Sequence, residues 1–292
     1  MALYCSIDGN TLSAGSSFDA LADDRGLAYG HGLFETILYS DGKTSLSNKH
    51  LERICRDAPK VGISVDSKHV QHCLEQFLQS LLDNAIYNGV VKIILTAGAG
   101  GRGYAAPVEL KPSVICTFSD LPSDLQQQGQ GIAVRCCSYR LPINPPLAGI
   151  KHLNRLDQII ARSEWNTTDY SEGLVFDTEN VLVEAVSANV FVRQAKGDWL
   201  TPNIKRAGVN GVMRSLLLDE LFSECGITVK VADINLQQLN LSQEIFICNS
   251  IRGIVPVTSI YSNDDRLQNT MPIGKDTKML QTSLKTIYPQ YL

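Results

Sequence analysis

The sequence has no apolar run near the roughly 18 residues of a membrane-spanning helix, so no membrane partner is expected. It has no surplus of basic charge either: 26 Lys and Arg stand against 30 Asp and Glu, a net charge of −4. A nucleic-acid-binding surface shows as a basic excess or stripe, so this balance gives no electrostatic case for one. The opening MALYCSIDGN lacks the basic and apolar regions of a secretory leader, and none is expected. The eight cysteines include no CxxC pair. Buried thiols in a reducing, cytoplasmic compartment are the expectation. Cys136 and Cys137 are adjacent, and on a strand they point to opposite faces. Internal repeats and low-complexity tracts are also missing.

Common catalytic signatures are absent. There is no GxSxG, Walker A loop or HExxH. His69 and His72 lie three apart on a predicted helix, but no Cys or carboxylate completes a metal-ligand pattern there. They read as surface residues, and no metal is expected. Gly98-Ala99-Gly100-Gly101-Arg102-Gly103 matches GxGxxG after a strand. A dinucleotide fingerprint needs a helix to begin at that point, because its N–H groups hold the pyrophosphate. Here Tyr104-Ala105-Ala106-Pro107 leads to another strand instead. The segment reads as a flexible hairpin loop carrying Arg102 and Tyr104, which either face an anionic, ring-containing ligand or form a solvated loop tip. A non-catalytic nucleotide-binding protein is the distant alternative.

What is present is an ordinary globular composition, 44% hydrophobic and 19% charged over 292 residues. That length suits about two domains. The polar, Gln-rich stretch 121–131 reads as a linker. It separates an N-terminal domain over 1–120 from a larger one over 132–292. Strands are predicted at 33–39, 90–97 and 113–118, with a hairpin turn at Asp41-Gly42. Ser47 is placed as the cap of a helix to about Lys60. Asp66 caps another, with Val70, Cys73, Leu74, Phe77, Leu78 and Leu81 at helical spacing. The second half is predicted to hold strands at 132–138, 172–177, 181–184, 188–193, 227–232, 244–248 and 254–260. Helices are expected at about 152–166, 212–225 and 275–286. Strict βα alternation is lacking, so the class is α+β or mixed α/β.

Lys151 follows a Pro-rich loop, in an apolar neighbourhood. Burial there lowers an amine's pKa and suits it to act as nucleophile or base. The segment AGIKHLNRLDQ around it resembles the active-site lysine segment of fold-type IV pyridoxal-phosphate (PLP) enzymes. YGHGLFET (29–36), GGRGY (100–104), VEAVSANVF (183–191), AGVNGVMR (207–214) and ICNSIRGIVPV (247–257) support the resemblance, in family order. It spans nearly the whole chain. The family holds branched-chain and D-amino-acid aminotransferases and aminodeoxychorismate lyases. Lys-His-Leu-Asn-Arg and Gly-Gly-Arg-Gly-Tyr are most similar to the lyases, with transamination as the alternative.

The resemblance implies a two-domain, homodimeric enzyme of folate biosynthesis with PLP held between its domains. It implies that Lys151 carries the cofactor and shuttles a proton. Glu184 pairs with the pyridine nitrogen, while Arg53, the N–H groups of Val212 and Met213, and Ser250 hold the phosphate. Arg155 lies near the phenolic oxygen. Thr36, in the Glu35-Thr36 pair, stands where a lyase hydroxyl assists pyruvate release. Tyr29, Arg102, Tyr104, Asn249 and Arg252 are the implied contacts to a small anionic substrate. His31 departs from the Gly-Asp-Gly common in these enzymes.

Overall fold

The computed structural model describes residues 4–12, 23–101, 103–123, 129–195 and 197–291. It divides into two units: residues 1–122 with 150–154, and residues 123–149 with 155–292.

The first unit is a sheet covered by helices. Its elements are β1 (Cys5–Ile7), β2 (Asn10–Leu12), α1 (Arg25–Tyr29), β3 (Gly32–Ser40), β4 (Lys43–Thr44), α2 (Ser47–Asp57), α3 (Ser67–Asp83), β5 (Gly89–Thr96) and β6 (Ser113–Ser119). The strands are antiparallel in the order β2-β1-β6-β5-β3-β4. Asp41 and Gly42 both take positive φ, +51° and +74°, as a tight hairpin turn requires. Leu33, Ile37 and Tyr39 alternate along β3 into one core with Ile54 of α2 and Val70, Cys73, Leu74, Phe77 and Leu81 of α3. The spacing of those α3 residues puts them on one face. Asp66 caps α3, accepting the Lys68 N–H at 3.0 Å. Ser47 does not cap α2: Leu46 holds the cap position with φ +56°, and Ser47 is the first helical residue.

The second unit contains β7 (Ile132–Leu141), α4 (Leu156–Arg162), β8 (Glu172–Asp177), β9 (Leu182–Ala185), β10 (Asn189–Arg193) and β11 (Trp199–Pro202). There follow α5 (Val212–Leu216), α6 (Phe222–Glu224), β12 (Val229–Ala232), α7 (Leu236–Asn240), β13 (Glu244–Asn249), β14 (Gly253–Tyr261), β15 (Leu267–Thr270) and α8 (Lys275–Ile287). A π turn over Leu217–Leu221 joins α5 to α6, so the helix runs through from 212 to 224. The sheet is mixed, in the order β12-β11-β10-β13-β14-β7-β8-β9, with β15 on β14. Both faces are covered. Cys136 enters one core cluster and Cys137 another, as do Leu174 and Val175, and Leu182 and Val183. A strand buried on both sides reads as an unbroken apolar run rather than an alternating one. All eight cysteines are free, and none is fully exposed.

One predicted helix differs. The helix expected from His152 begins only at Leu156, because 150–154 runs extended beside β3. The linker centre, 124–128, lies outside the described residues. No helix among the described residues is long and apolar enough to cross a membrane.

Candidate active site

In the first unit, the lysine is placed by strand pairing. The Phe34 N–H donates to the Lys151 carbonyl at 3.0 Å, and the Leu153 N–H to the Gly32 carbonyl at 2.9 Å. Gly32 permits this approach, since a Cβ there would lie 2.7 Å from Leu153 Cδ1 and 2.5 Å from the Leu95 carbonyl. Lys151 Nζ then sits 4.2 Å from the centroid of the Phe34 ring. Thr36 is two residues along β3 and shares the Phe34 face. Lys92 is the cross-strand partner of Thr36, and its Nζ lies 5.0 Å from the same ring. One sheet face thus gathers Phe34, Thr36, Lys92 and Lys151. Sequence reasoning passed over Lys92. Its signal was a lone cation inside the apolar run VVKIILTA.

The opposite face of β3 carries Glu35, only 1% exposed. Arg53 of α2 grips it from one edge: Nε donates to Oε1 at 2.8 Å and Nη2 to Oε2. His50 Nδ1 lies 2.6 Å from Oε2. Burial alone would push the Glu35 carboxyl up, but the charges and hydrogen bonds of Arg53 and His50 outweigh it and hold the group at about 2. Burial keeps the His50 pKa below its ordinary range despite Glu35. The imidazole is therefore neutral at pH 7 and donates its Nδ1–H. Arg53 reaches its position through this buried pair, which the sequence did not reveal.

Tyr29 ends α1. Its hydroxyl accepts the Gly103 N–H at 3.1 Å, and its ring meets Tyr104 edge-on at 5.7 Å. The Tyr104 side chain is 90% exposed. Arg102 lies outside the described residues.

In the second unit, Glu184 on β9 is buried, and its Oε2 accepts the Val209 N–H at 2.8 Å. Gly208, at φ +87°, keeps the backbone close: a Cβ there would lie 2.7 Å from Val183 Cγ1 and 3.2 Å from Glu184 Oε2. Gly211 caps α5, and a Cβ on it would fall 2.0 Å from Asn189 Oδ1. Val212 and Met213 follow in the first turn, where a helix supplies no carbonyl to their N–H groups. Arg155 stands at the start of α4, where burial lowers its pKa against the opposing pull of Glu184. Ser250, Ile251 and Arg252 form the β13–β14 turn. The Asn249 carboxamide oxygen accepts the Ile251 and Arg252 N–H groups at 3.0 and 2.8 Å, so that side chain shapes the turn. No group of three or more metal-ligating side chains occurs among the described residues.

The class IV aminotransferase family model matches residues 32–260. The chain belongs to the class IV aminotransferase family. The aminodeoxychorismate lyase of Vibrio harveyi is 34% identical over 265 residues, covering 90% of this chain and 94% of that relative. The crystal structure of 4-amino-4-deoxychorismate lyase from Pseudomonas aeruginosa superposes with a TM-score of 0.86 at 34% identity, covering 97% of this chain and 99% of that one. A hypothetical aminotransferase from Mycobacterium tuberculosis, in its PLP-bound form, shares the fold at 18% identity, with a TM-score of 0.81 and 97% and 99% coverage.

Class IV aminotransferases are PLP-dependent, and the residues present fit the cofactor. They offer an amine beside an aromatic ring, a buried carboxylate and two first-turn N–H groups. The side-chain-free backbone at Gly208 and Gly211 leaves both acidic and anion-holding groups uncrowded.

Proposed function

We propose that this class IV enzyme is an aminodeoxychorismate lyase, forming 4-aminobenzoate and pyruvate for folate synthesis. The observation that carries the reading is a hydroxyl, Thr36, on the same sheet face as the Lys151 amine. Branched-chain enzymes tend to have glycine there, and D-amino-acid enzymes a small aliphatic residue. The V. harveyi relative supports the same reading.

Lys151 is the residue that would carry PLP. Glu184 would hold the pyridine nitrogen protonated. Arg53 and the N–H groups of Val212 and Met213 would hold the phosphate, with Ser250 adding a contact. Arg155 would lie by the phenolic oxygen. PLP, when bound, withdraws the electron pair left on carbon as a proton is removed. The Lys151 amine takes that proton from the amine-bearing ring carbon of the substrate. Breaking the C–O bond then makes the ring aromatic and releases the enol of pyruvate. The Thr36 hydroxyl supplies a proton to that leaving group. A positioned acid of this kind is worth roughly 10²–10⁴-fold. Tyr29, Arg102, Tyr104, Asn249 and Arg252 are the proposed contacts to the substrate carboxylates.

The test is a product assay on the PLP-loaded protein supplied with aminodeoxychorismate. The wild type should release 4-aminobenzoate, Lys151→Ala none, and Thr36→Val roughly 10²-fold less. A PLP-bearing wild type without product would overturn the reading and turn attention to amino-acid/2-oxoacid exchange. Homodimerisation is part of the proposal. Leu156, Ile159 and Ile160 of α4 are 71%, 61% and 47% exposed, an apolar stripe suited to a second copy. Light scattering should return twice the 32.0 kDa chain mass, and a monomer at working concentration would count against it. The free thiols suit a cytoplasmic setting.

A further inference from the structure

Arg25 is a buried cation that the reaction above does not use. It is 3% exposed, and none of the described carboxylates forms an ion pair with it. Its guanidinium donates instead to neutral acceptors. Nη1 reaches the carbonyls of Gly100 and Gly103, both at 3.2 Å, and Nη2 the carbonyl of Tyr104 at 3.0 Å. Nε donates to His31 Nδ1 at 3.2 Å. The Tyr29 ring lies 5.0 Å beneath the guanidinium.

His31 orients this cation. Its Nε2 lies 2.7 Å from the Val61 carbonyl, which can only accept, so Nε2 bears the proton and Nδ1 keeps its lone pair for Arg25. The backbone of His31 is also fixed, its N–H on the Arg25 carbonyl and its carbonyl on the Ala97 N–H.

The three carbonyl acceptors belong to one loop. Gly98, Gly100, Gly101 and Gly103 have φ of +75°, +140°, +74° and +74°. Such a glycine-rich stretch loses much conformational entropy when ordered and needs contacts to offset that. Its first part is pinned by backbone: Arg25 N–H to the Gly98 carbonyl at 2.9 Å and Gly100 N–H to the Asp23 carbonyl at 3.3 Å. Its second part, 103–104, is pinned by the Arg25 side chain and the Tyr29 hydroxyl. The Tyr104 carbonyl is thereby fixed while its side chain faces outward.

We infer that Arg25, seated on His31, is a positioning residue that fixes the Gly100 and Gly103–Tyr104 backbone, and with it the proposed contacts Tyr29 and Tyr104, for recognition of a carboxylate-bearing substrate. The inference rests on the lyase reading for the identity of that substrate. An ordered loop lowers KM by removing an ordering cost from binding, and it leaves the bond-breaking groups untouched.

The test compares Arg25→Gln, Arg25→Lys, His31→Leu and His31→Asn on the PLP-loaded protein. It measures KM and kcat for 4-aminobenzoate formation, and the rate of trypsin cleavage after Arg102. Arg25→Gln should raise KM roughly tenfold, with kcat changed far less, and should speed cleavage after Arg102. Arg25→Lys should do the same, since an ammonium cannot span acceptors on both sides of a planar fork. The Oδ1 of an asparagine occupies the position of Nδ1, so His31→Asn should keep KM and cleavage closer to wild type than His31→Leu does. Wild-type KM and wild-type cleavage in Arg25→Gln would overturn the inference. So would equal behaviour of the two His31 variants, which keeps the test decisive if Arg25→Gln fails to fold. A wild type that forms no 4-aminobenzoate would sink the lyase reading alone, because the trypsin rates still report on the tether.

Discussion

Burial by itself would favour a protonated Glu35. Arg53 and His50 reverse that preference, and stability should follow pH accordingly. Below about 6.5, the His50 of the unfolded chain takes a proton that the folded residue resists. Unfolding is then favoured, and the melting temperature should start to fall. Glu35 has an ordinary value of 4.5 and a folded value of about 2. Its contribution is complete above pH 4.5 and is lost as pH falls toward 2. Glu35→Gln should flatten this acid limb and cost about 3–5 kcal/mol, because it leaves a buried guanidinium without its carboxylate. Thermal unfolding of both proteins from pH 8 to 3 checks it; parallel curves would contradict the pairing. The sequence offered Arg53 only through the resemblance. Taken alone, an arginine on an amphipathic helix and a glutamate on a strand both read as solvated charges. Their meeting depends on α2 packing across β3, a long-range contact that periodicity does not encode.

At the scale of elements, local chemistry was legible where one residue decides the outcome. Asp66 caps α3 as its position before the apolar spacing suggests. Asp66→Ala should cost about 1 kcal/mol. Ser47→Ala should cost less, because Ser47 makes no capping bond. Comparing the two melting temperatures checks both, and equal losses would contradict the assignment. Ser47 was misread because Leu46, with its left-handed backbone, takes the cap position. A leucine gives no warning of that. The helix expected at His152 failed for a different reason: pairing with β3 claims 150–154 first. Strands β1, β2, β11 and β15 were not predicted, being three or four residues long. That is too short to establish alternation. The π turn inside the 212–224 helix leaves the apolar pattern intact and gave no signal.

At the scale of the whole molecule, the class was legible from mixed strands and helices, and the family from motifs in order along the chain. The path of the chain was not. Residues 150–154 belong with the first unit, although the second unit flanks them on both sides. A composition shift marks long linkers, not a five-residue crossing.

That crossing works like a stitch. One protease cut within 124–128 makes two fragments, yet the longer fragment keeps the 150–154 segment that runs alongside β3 of the shorter. The halves should stay together after cutting, and separately expressed pieces should reassemble. Denaturing electrophoresis would then show two bands where native size analysis shows one species. Fragments that drift apart under native conditions would mean the stitch is too weak to hold. Lys151, the proposed cofactor-bearing residue, thus lies on that thread, so exchanging the longer piece for a foreign domain would remove Lys151 as well.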